Sequence, residues 1–199
     1  ALAHLAAADP ALGALIARVG DFRLEPPDPL TPFHYLQRAI VYQQLSGKAA
    51  ATIFGRFLRL YRSRKPSAER ILATPHETLR SVGLSRAKAL AIADLAAHAR
   101  NGTIPSRRQL AKLEPEEIIT RLTQVRGIGR WSVEMLLMFY LGHPDVLPVT
   151  DLGIQKGFAL TVGQRSMPSV RTMVRRAERW RPYRTVACWY LWRALELPR

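Results

Sequence analysis

Two features of this chain could do chemistry: the run Gly127-Ile-Gly-Arg-Trp131 and a lone acid further on, Asp151. The Gly-Ile-Gly core spells a tight turn that opens a helix. Glycine lets the backbone approach a ligand, and N–H groups at a helix start point outward, where they bind phosphate. By itself a Gly-x-Gly also fits an ordinary turn between two helices. The flanking apolar pattern favours a helix–hairpin–helix. Ile118, Ile119 and Leu122 pack one helix, Val125 and Ile128 plug the hairpin, and Trp131, Met135 and Met138 or Phe139 continue on the second. Asp151 follows Val146-Leu-Pro-Val-Thr150 and precedes a helical pattern. Aspartate is a favoured N-cap, and a cap would hold the carboxylate rigidly. A chain that attracts phosphate has no electrostatic reason to keep an acid nearby unless the acid acts.

Charge points the same way. The 199 residues carry 30 Lys+Arg against 15 Asp+Glu, a net +15. In residues 1–55, Arg18, Arg23, Arg38 and Lys48 balance Asp9, Asp21, Glu25 and Asp28, so the whole excess lies beyond. Arginine dominates, which suits planar contact with phosphate. Nucleic acid is the leading partner, although a merely basic protein from an Arg-rich proteome has the same composition. Arg171, Arg175 and Arg179 recur every four residues, with Arg176 beside them. They suit a phosphate track or a solvated face equally. Arg62 to Lys65 has the same two readings.

Other classes fall away. One cysteine, Cys188, excludes an intrachain disulfide and a four-cysteine iron–sulfur cluster. The five histidines show no metal-ligand spacing. No apolar run approaches the roughly 20 residues of a membrane span. Ala1 to Ala8 lacks the basic flank and long apolar run of a signal peptide.

The elements that must position the site are helices, with strand signals nearly absent. Asp9-Pro10 caps one that Gly20 closes; a Pro-rich extended segment follows from Glu25 to Leu30. Thr31-Pro32, Ser46, Ser85 and Pro115 start others, and Thr74-Pro-His-Glu77 spells a capping box. A helix is expected over about 130–141, and two more over about 168–180 and 182–195. Trp180 and Trp189 are expected in the core. The expectation is an all-α fold of about ten helices.

Gly127-Ile-Gly-Arg-Trp131 followed by Leu147-Pro-Val-Thr-Asp-Leu152 resembles the helix–hairpin–helix DNA glycosylase superfamily, most closely its 3-methyladenine DNA glycosylase II (AlkA-type) branch. Ala39-Ile-Val-Tyr-Gln-Gln-Leu-Ser46, Val82-Gly-Leu-Ser-Arg-Ala-Lys88 and Ala177-Glu-Arg-Trp-Arg-Pro-Tyr183 extend the likeness over nearly the whole chain. The resemblance is to a compact, all-helical form, and it implies no N-terminal β-rich domain like that of larger members. The resemblance implies a single unit of two helical lobes with the active-site cleft between them. Lobe 1 would span about 36–145, with the hairpin at 122–131, and lobe 2 would span 1–35 plus 146–199.

The family flips a damaged base out of double-stranded DNA and cleaves its N-glycosidic bond. The resemblance makes Asp151 the catalytic aspartate, stabilising the sugar cation and orienting water. It places Trp131, Trp192, Met135 and Tyr42 at the base pocket, where indole faces would attract a cationic ring. Gln44 and Leu45 match the wedge that fills the gap left by the flipped base. Gly127, Gly129, Arg130 and Arg126 match phosphate-binding positions. The backbone carbonyls of Thr123, Val125 and Gly127 match a site for a structural Na⁺ or K⁺; no other cofactor is implied. Bifunctional relatives carry a lysine just after the hairpin as a Schiff-base nucleophile. Trp131 stands there, which implies a monofunctional, water-using enzyme. Close relatives carry an aromatic where Met135 stands, so the pocket is expected to be roomier.

The expected function is thus excision of alkylated bases of the 3-methyladenine and 7-methylguanine type. The expected setting is a monomer in the cytoplasm, nucleoid-associated in a bacterium. Two other readings remain open here. One is a non-catalytic reader of DNA damage, which would gain from Asn or Lys in place of Asp151. The other is a glycosylase/lyase for oxidised bases, with Lys156 or Lys48 as nucleophile.

Overall fold

A computed structural model describes residues 1–24 and 29–198. Most of the expected Pro-rich segment, Glu25 to Asp28, lies outside the described residues. The helices run in the order α1 (Leu2–Ala8), α2 (Pro10–Val19), α3 (Pro32–Tyr42), α4 (Gly47–Arg59), α5 (Ala68–Leu72), α6 (His76–Ser81) and α7 (Arg86–Arg100). Then come α8 (Arg107–Leu110), α9 (Pro115–Leu122), α10 (Arg130–Met135), α11 (Leu152–Thr161), α12 (Val170–Ala177) and α13 (Arg184–Ala194). Among the described residues there is no strand.

The chain divides into two compact units, one of Ala1–Pro27 with Glu134–Arg199 and one of Asp28–Val133. The second boundary falls inside α10, upstream of the position near 145 that the resemblance implies. Each unit has its own core.

In the first unit α11 packs on α13, and both pack on α2. Gly157 makes the α11–α13 approach possible: a Cβ there would lie 1.9 Å from the Leu191 carbonyl oxygen. A buried polar cluster ties the N-terminus in. Asp9 caps α2, accepting from the Ala11 and Leu12 amides. The Arg176 guanidinium donates to both its carboxylate oxygens at 2.7 and 2.6 Å, and the Trp180 indole adds a bond at 3.0 Å. Asp145 is gripped by Arg184 and Arg181 in the same unit. Burial pushes the Asp9 and Asp145 carboxyls up, but the arginine hydrogen bonds outweigh it and hold both below the usual range.

In the second unit α7 is the central helix, against which α3, α5 and α6 pack. Leu36, Ile40, Ile92, Leu95 and Leu122 are fully buried there.

Several expectations change. Thr74 does not cap α6, whose N-cap is Pro75 with no side-chain bond. The Thr74 hydroxyl instead donates to the Arg70 carbonyl, with the Tyr61 hydroxyl 3.0 Å away. A capping box forms instead at Ser106 with Gln109 on α8. The Ala-rich start forms α1. The single helix expected over 130–141 is α10 followed by a π-helical turn at Leu136–Tyr140, where the Leu141 N–H reaches the Leu136 carbonyl. Arg176, placed with the exposed arginine stripe, is spent on Asp9.

Candidate active site

The first unit holds Asp151, Met135 and Trp192. Asp151 is the N-cap of α11, and its Oδ1 accepts the Ile154 amide at 2.8 Å. The same oxygen accepts the Trp192 indole N–H at 3.0 Å. Trp192 comes from α13 and tilts against Phe139, with ring centroids 5.7 Å apart. The carboxylate is therefore held by a helix start and by an indole. Gly153 leaves the space: a Cβ there would lie 2.8 Å from Trp192 Cδ1 and 3.1 Å from Asp151 Oδ1. Met135 ends α10, half-buried. Trp192 was expected only as a pocket wall. Its N–H is engaged with the carboxylate, a contact the resemblance did not imply.

The second unit holds the hairpin, Trp131, Tyr42, Gln44 and Leu45. Val125 and Ile128 are buried beneath the turn, as the apolar pattern requires. Gly127 has φ +77, and a Cβ there would meet the Ala91 methyl at 3.2 Å. Its glycine is required by the fold. Gly129 is different: a Cβ there would meet nothing within 4 Å. Nothing inside the protein asks for glycine there.

The arginines are partly committed. The Arg126 backbone N–H donates to Asp94 Oδ2 at 2.7 Å, and the Arg126 side chain is exposed. The Arg130 guanidinium forks onto Glu116, with Nη1 to Oε2 at 3.0 Å. Trp131 is 44% exposed and Tyr42 37%, the latter edge-on to Phe54. Both rings are large apolar surfaces exposed to solvent. Gln44 and Leu45 are exposed in the loop after α3, Gln44 with φ +56.

Two of the three carbonyls expected at a cation site already accept hydrogen bonds. The Val125 carbonyl accepts the Ile128 N–H at 3.0 Å, and the Gly127 carbonyl accepts the Gln43 amide at 2.8 Å. A carbonyl oxygen has two lone pairs, so each keeps one for an ion. The neutral oxygen donors fit Na⁺ or K⁺.

Sequence reasoning missed Gly153 and Gly157, although their Gly-x-x-x-Gly spacing on a helix was a readable sign of close packing. It also missed Gln43, Lys88 and Asp94. Their partners are distant in sequence, and no local pattern marks them.

An all-helical chain with a glycine hairpin on one unit and a helix-capping aspartate on the other defines a class. A family model described as "HhH-GPD superfamily base excision DNA repair protein" matches residues 37–182, and the chain belongs to that family. Among relatives, it is 36% identical to DNA-3-methyladenine glycosylase 1 of Schizosaccharomyces pombe, over 98% of this chain and 86% of the relative. A solved structure of the 3-methyladenine DNA glycosylase Mag1 from that yeast, in complex with abasic DNA, aligns with a TM-score of 0.87. It covers 98% of this chain and 96% of that one at 36% identity. A DNA-3-methyladenine glycosidase from Bacillus halodurans aligns equally well, with a TM-score of 0.87 at 36% identity, covering 96% and 87%.

Proposed function

We propose that this chain is a monofunctional DNA glycosylase that releases alkylated bases of the 3-methyladenine type, with Asp151 as its catalytic carboxylate. The observation that carries this is the double anchoring of Asp151 Oδ1 by the Ile154 amide and the Trp192 indole. A carboxylate held this way need not reorganise when positive charge develops beside it.

The reaction needs little more. An alkylated purine such as 3-methyladenine or 7-methylguanine carries positive charge in the nucleotide. When the C1′–N bond breaks, the base takes the bonding electrons and leaves neutral. The sugar is left cation-like, and Asp151 stabilises it. Water, oriented by the same carboxylate, then bonds through its oxygen to C1′ and loses its extra proton to solvent. Trp192 is a positioning residue here, since it acts through Asp151. Trp131 and Tyr42 offer aromatic faces to a flipped, electron-poor base. Met135, at the end of α10, is a softer and more adaptable side chain than an aromatic.

The hairpin anchors a phosphate of the duplex. The open space at Gly129 supports this, because a phosphate can approach the backbone there. The exposed Arg126 side chain adds charge. Arg130 contributes its backbone N–H, while its guanidinium stays on Glu116. A Na⁺ or K⁺ held by the Thr123, Val125 and Gly127 carbonyls would add positive charge under the phosphate. Gln44 and Leu45 are the wedge. Such an enzyme works where the genome is, which in a bacterial cell is the cytoplasmic nucleoid.

The test is base release from a panel of oligonucleotides, each with one alkylated base, together with borohydride trapping. Free 3-methyladenine with no covalent protein–DNA adduct is expected. A trapped adduct would contradict the water-using mechanism, and no release from any alkylated purine would contradict the activity.

A further inference from the structure

We propose that Lys88 and Gln43 are positioning residues that tie the Gln44–Leu45 loop to the hairpin, so that anchoring a phosphate and probing the duplex are done by one rigid element. The inference rests on the wedge and anchor roles given above.

The need arises at the end of α3. The last carbonyls of a helix lack intrahelical donors, and the common remedy is a glycine in the left-handed conformation just past the end. Here that conformation falls on Gln44, which has a Cβ and φ +56. Such a residue persists there only if its surroundings hold it. Lys88 supplies the hold. Its half-buried ammonium donates to the Val41 carbonyl at 2.8 Å and to the Gln43 carbonyl at 2.7 Å. One positive group thus replaces the missing donors on the residues leading into the wedge.

Gln43 carries the connection onward. Its backbone is held by Lys88, and its side-chain Nε2 donates to the Gly127 carbonyl at 2.8 Å, with Ser132 Oγ at 3.5 Å. Ammonium, Gln43 and hairpin carbonyl form a continuous chain of hydrogen bonds. The scaffold beneath is α7. Lys88 holds the wedge loop, Ala91 backs Gly127, and Asp94 accepts the Arg126 N–H, three residues whose spacing puts them on one face. Both loops are therefore fixed to one helix and to each other. Burial lowers the Lys88 ammonium's pKa from its ordinary value, in keeping with a lysine withdrawn from solvent for a structural contact.

The consequence is a specific defect when the tether is cut. Lys88→Met and Gln43→Leu loosen the wedge, while the hairpin turn keeps its contacts with Ala91 and Asp94 and Asp151 is untouched. Wedge insertion is read with a duplex carrying an abasic-site analogue and 2-aminopurine as its neighbour, whose fluorescence rises on unstacking without any base release. The variants should lose most of that rise while still binding the duplex. Single-turnover base release from a correctly paired lesion should fall roughly ten- to a hundredfold, the scale of a lost charge-assisted hydrogen bond. Release from a mispaired lesion should fall much less, because flipping it costs less. Lys88→Arg, which keeps a charged donor, should restore most of the difference. If Lys88→Met does not fold, Gln43→Leu carries the test alone. Equal losses on paired and mispaired lesions, or an unchanged fluorescence rise in a folded variant, would overturn the tether. Absence of base release by the wild type would instead contradict the proposed activity, and the fluorescence would still report on the tether.

Discussion

Asp151 and Trp192 sit on different helices, and Gly153 is what lets them meet. A Cβ at Gly153 would press on Trp192 Cδ1 at 2.8 Å and on Asp151 Oδ1 at 3.1 Å. In a helix, alanine is favoured over glycine by about 1 kcal/mol. Gly153 lies in the first turn and its Cβ displaces a ring, so this gain at best offsets the lost bond: Gly153→Ala should leave the melting temperature near or somewhat below that of the wild type while turning the indole away from the carboxylate. The base-release rate should drop about tenfold or more, as expected for a displaced orienting group. A variant with wild-type rate would show that the Trp192 bond does not matter. Gly157→Ala should act chiefly on stability. Its Cβ would meet backbone at Leu191, which cannot swing aside, so overpacking should cost about 2–3 kcal/mol in denaturant unfolding. Asp151 and its cap were legible in the sequence, since Asp before a helical pattern is a cap signal. The second bond, from Trp192, was not. It depends on how two helices cross, and that was written only in the small residues between them.

At the scale of elements, the N-terminal helices are fastened by charge. Asp9 is fully buried, and Arg176 and Trp180 satisfy it. Its folded pKa is lowered, as is that of Asp145. A carboxylate of this kind stabilises the fold fully above its unfolded pKa of about 3.9, and that stability is lost as pH falls through the lower folded value. Thermal stability should thus be level near neutrality and fall as the pH drops below about 4. Arg176→Met should cost about 3 kcal/mol, because it strands a buried charge. It should also shrink the loss between pH 5 and pH 3. An unchanged acid profile in that variant would mean that Asp9 is not the group responsible. Helix starts in this chain were mostly readable, because Asp9, Thr31, Ser46 and Ser85 each cap as their side chains predict. Thr74 misled, since its hydroxyl had better partners in Arg70 and Tyr61. The π turn at Leu136–Tyr140 left no mark, because the same apolar residues suit an α-helix. Arg176 looked like surface charge until its partner, far away in sequence, was known.

For the whole molecule, the excess positive charge is the property that DNA would feel first. Duplex affinity should fall steeply with salt, by about 0.9 log unit per log unit of salt for each phosphate neutralised. A slope near zero would argue against the basic surface as the DNA track. Fold class, hairpin and candidate acid were all legible, since they rest on local patterns of glycine, apolar spacing and capping. The division of the chain inside α10 was not, because it depends on which helices share a core. The most direct test of the whole account separates binding from chemistry. Asp151→Asn keeps the shape and the cap but removes the charge, so it should bind abasic-site DNA like the wild type and release almost no 3-methyladenine from alkylated duplex. Wild-type release by that variant would contradict the assignment of Asp151 as the group that carries the reaction.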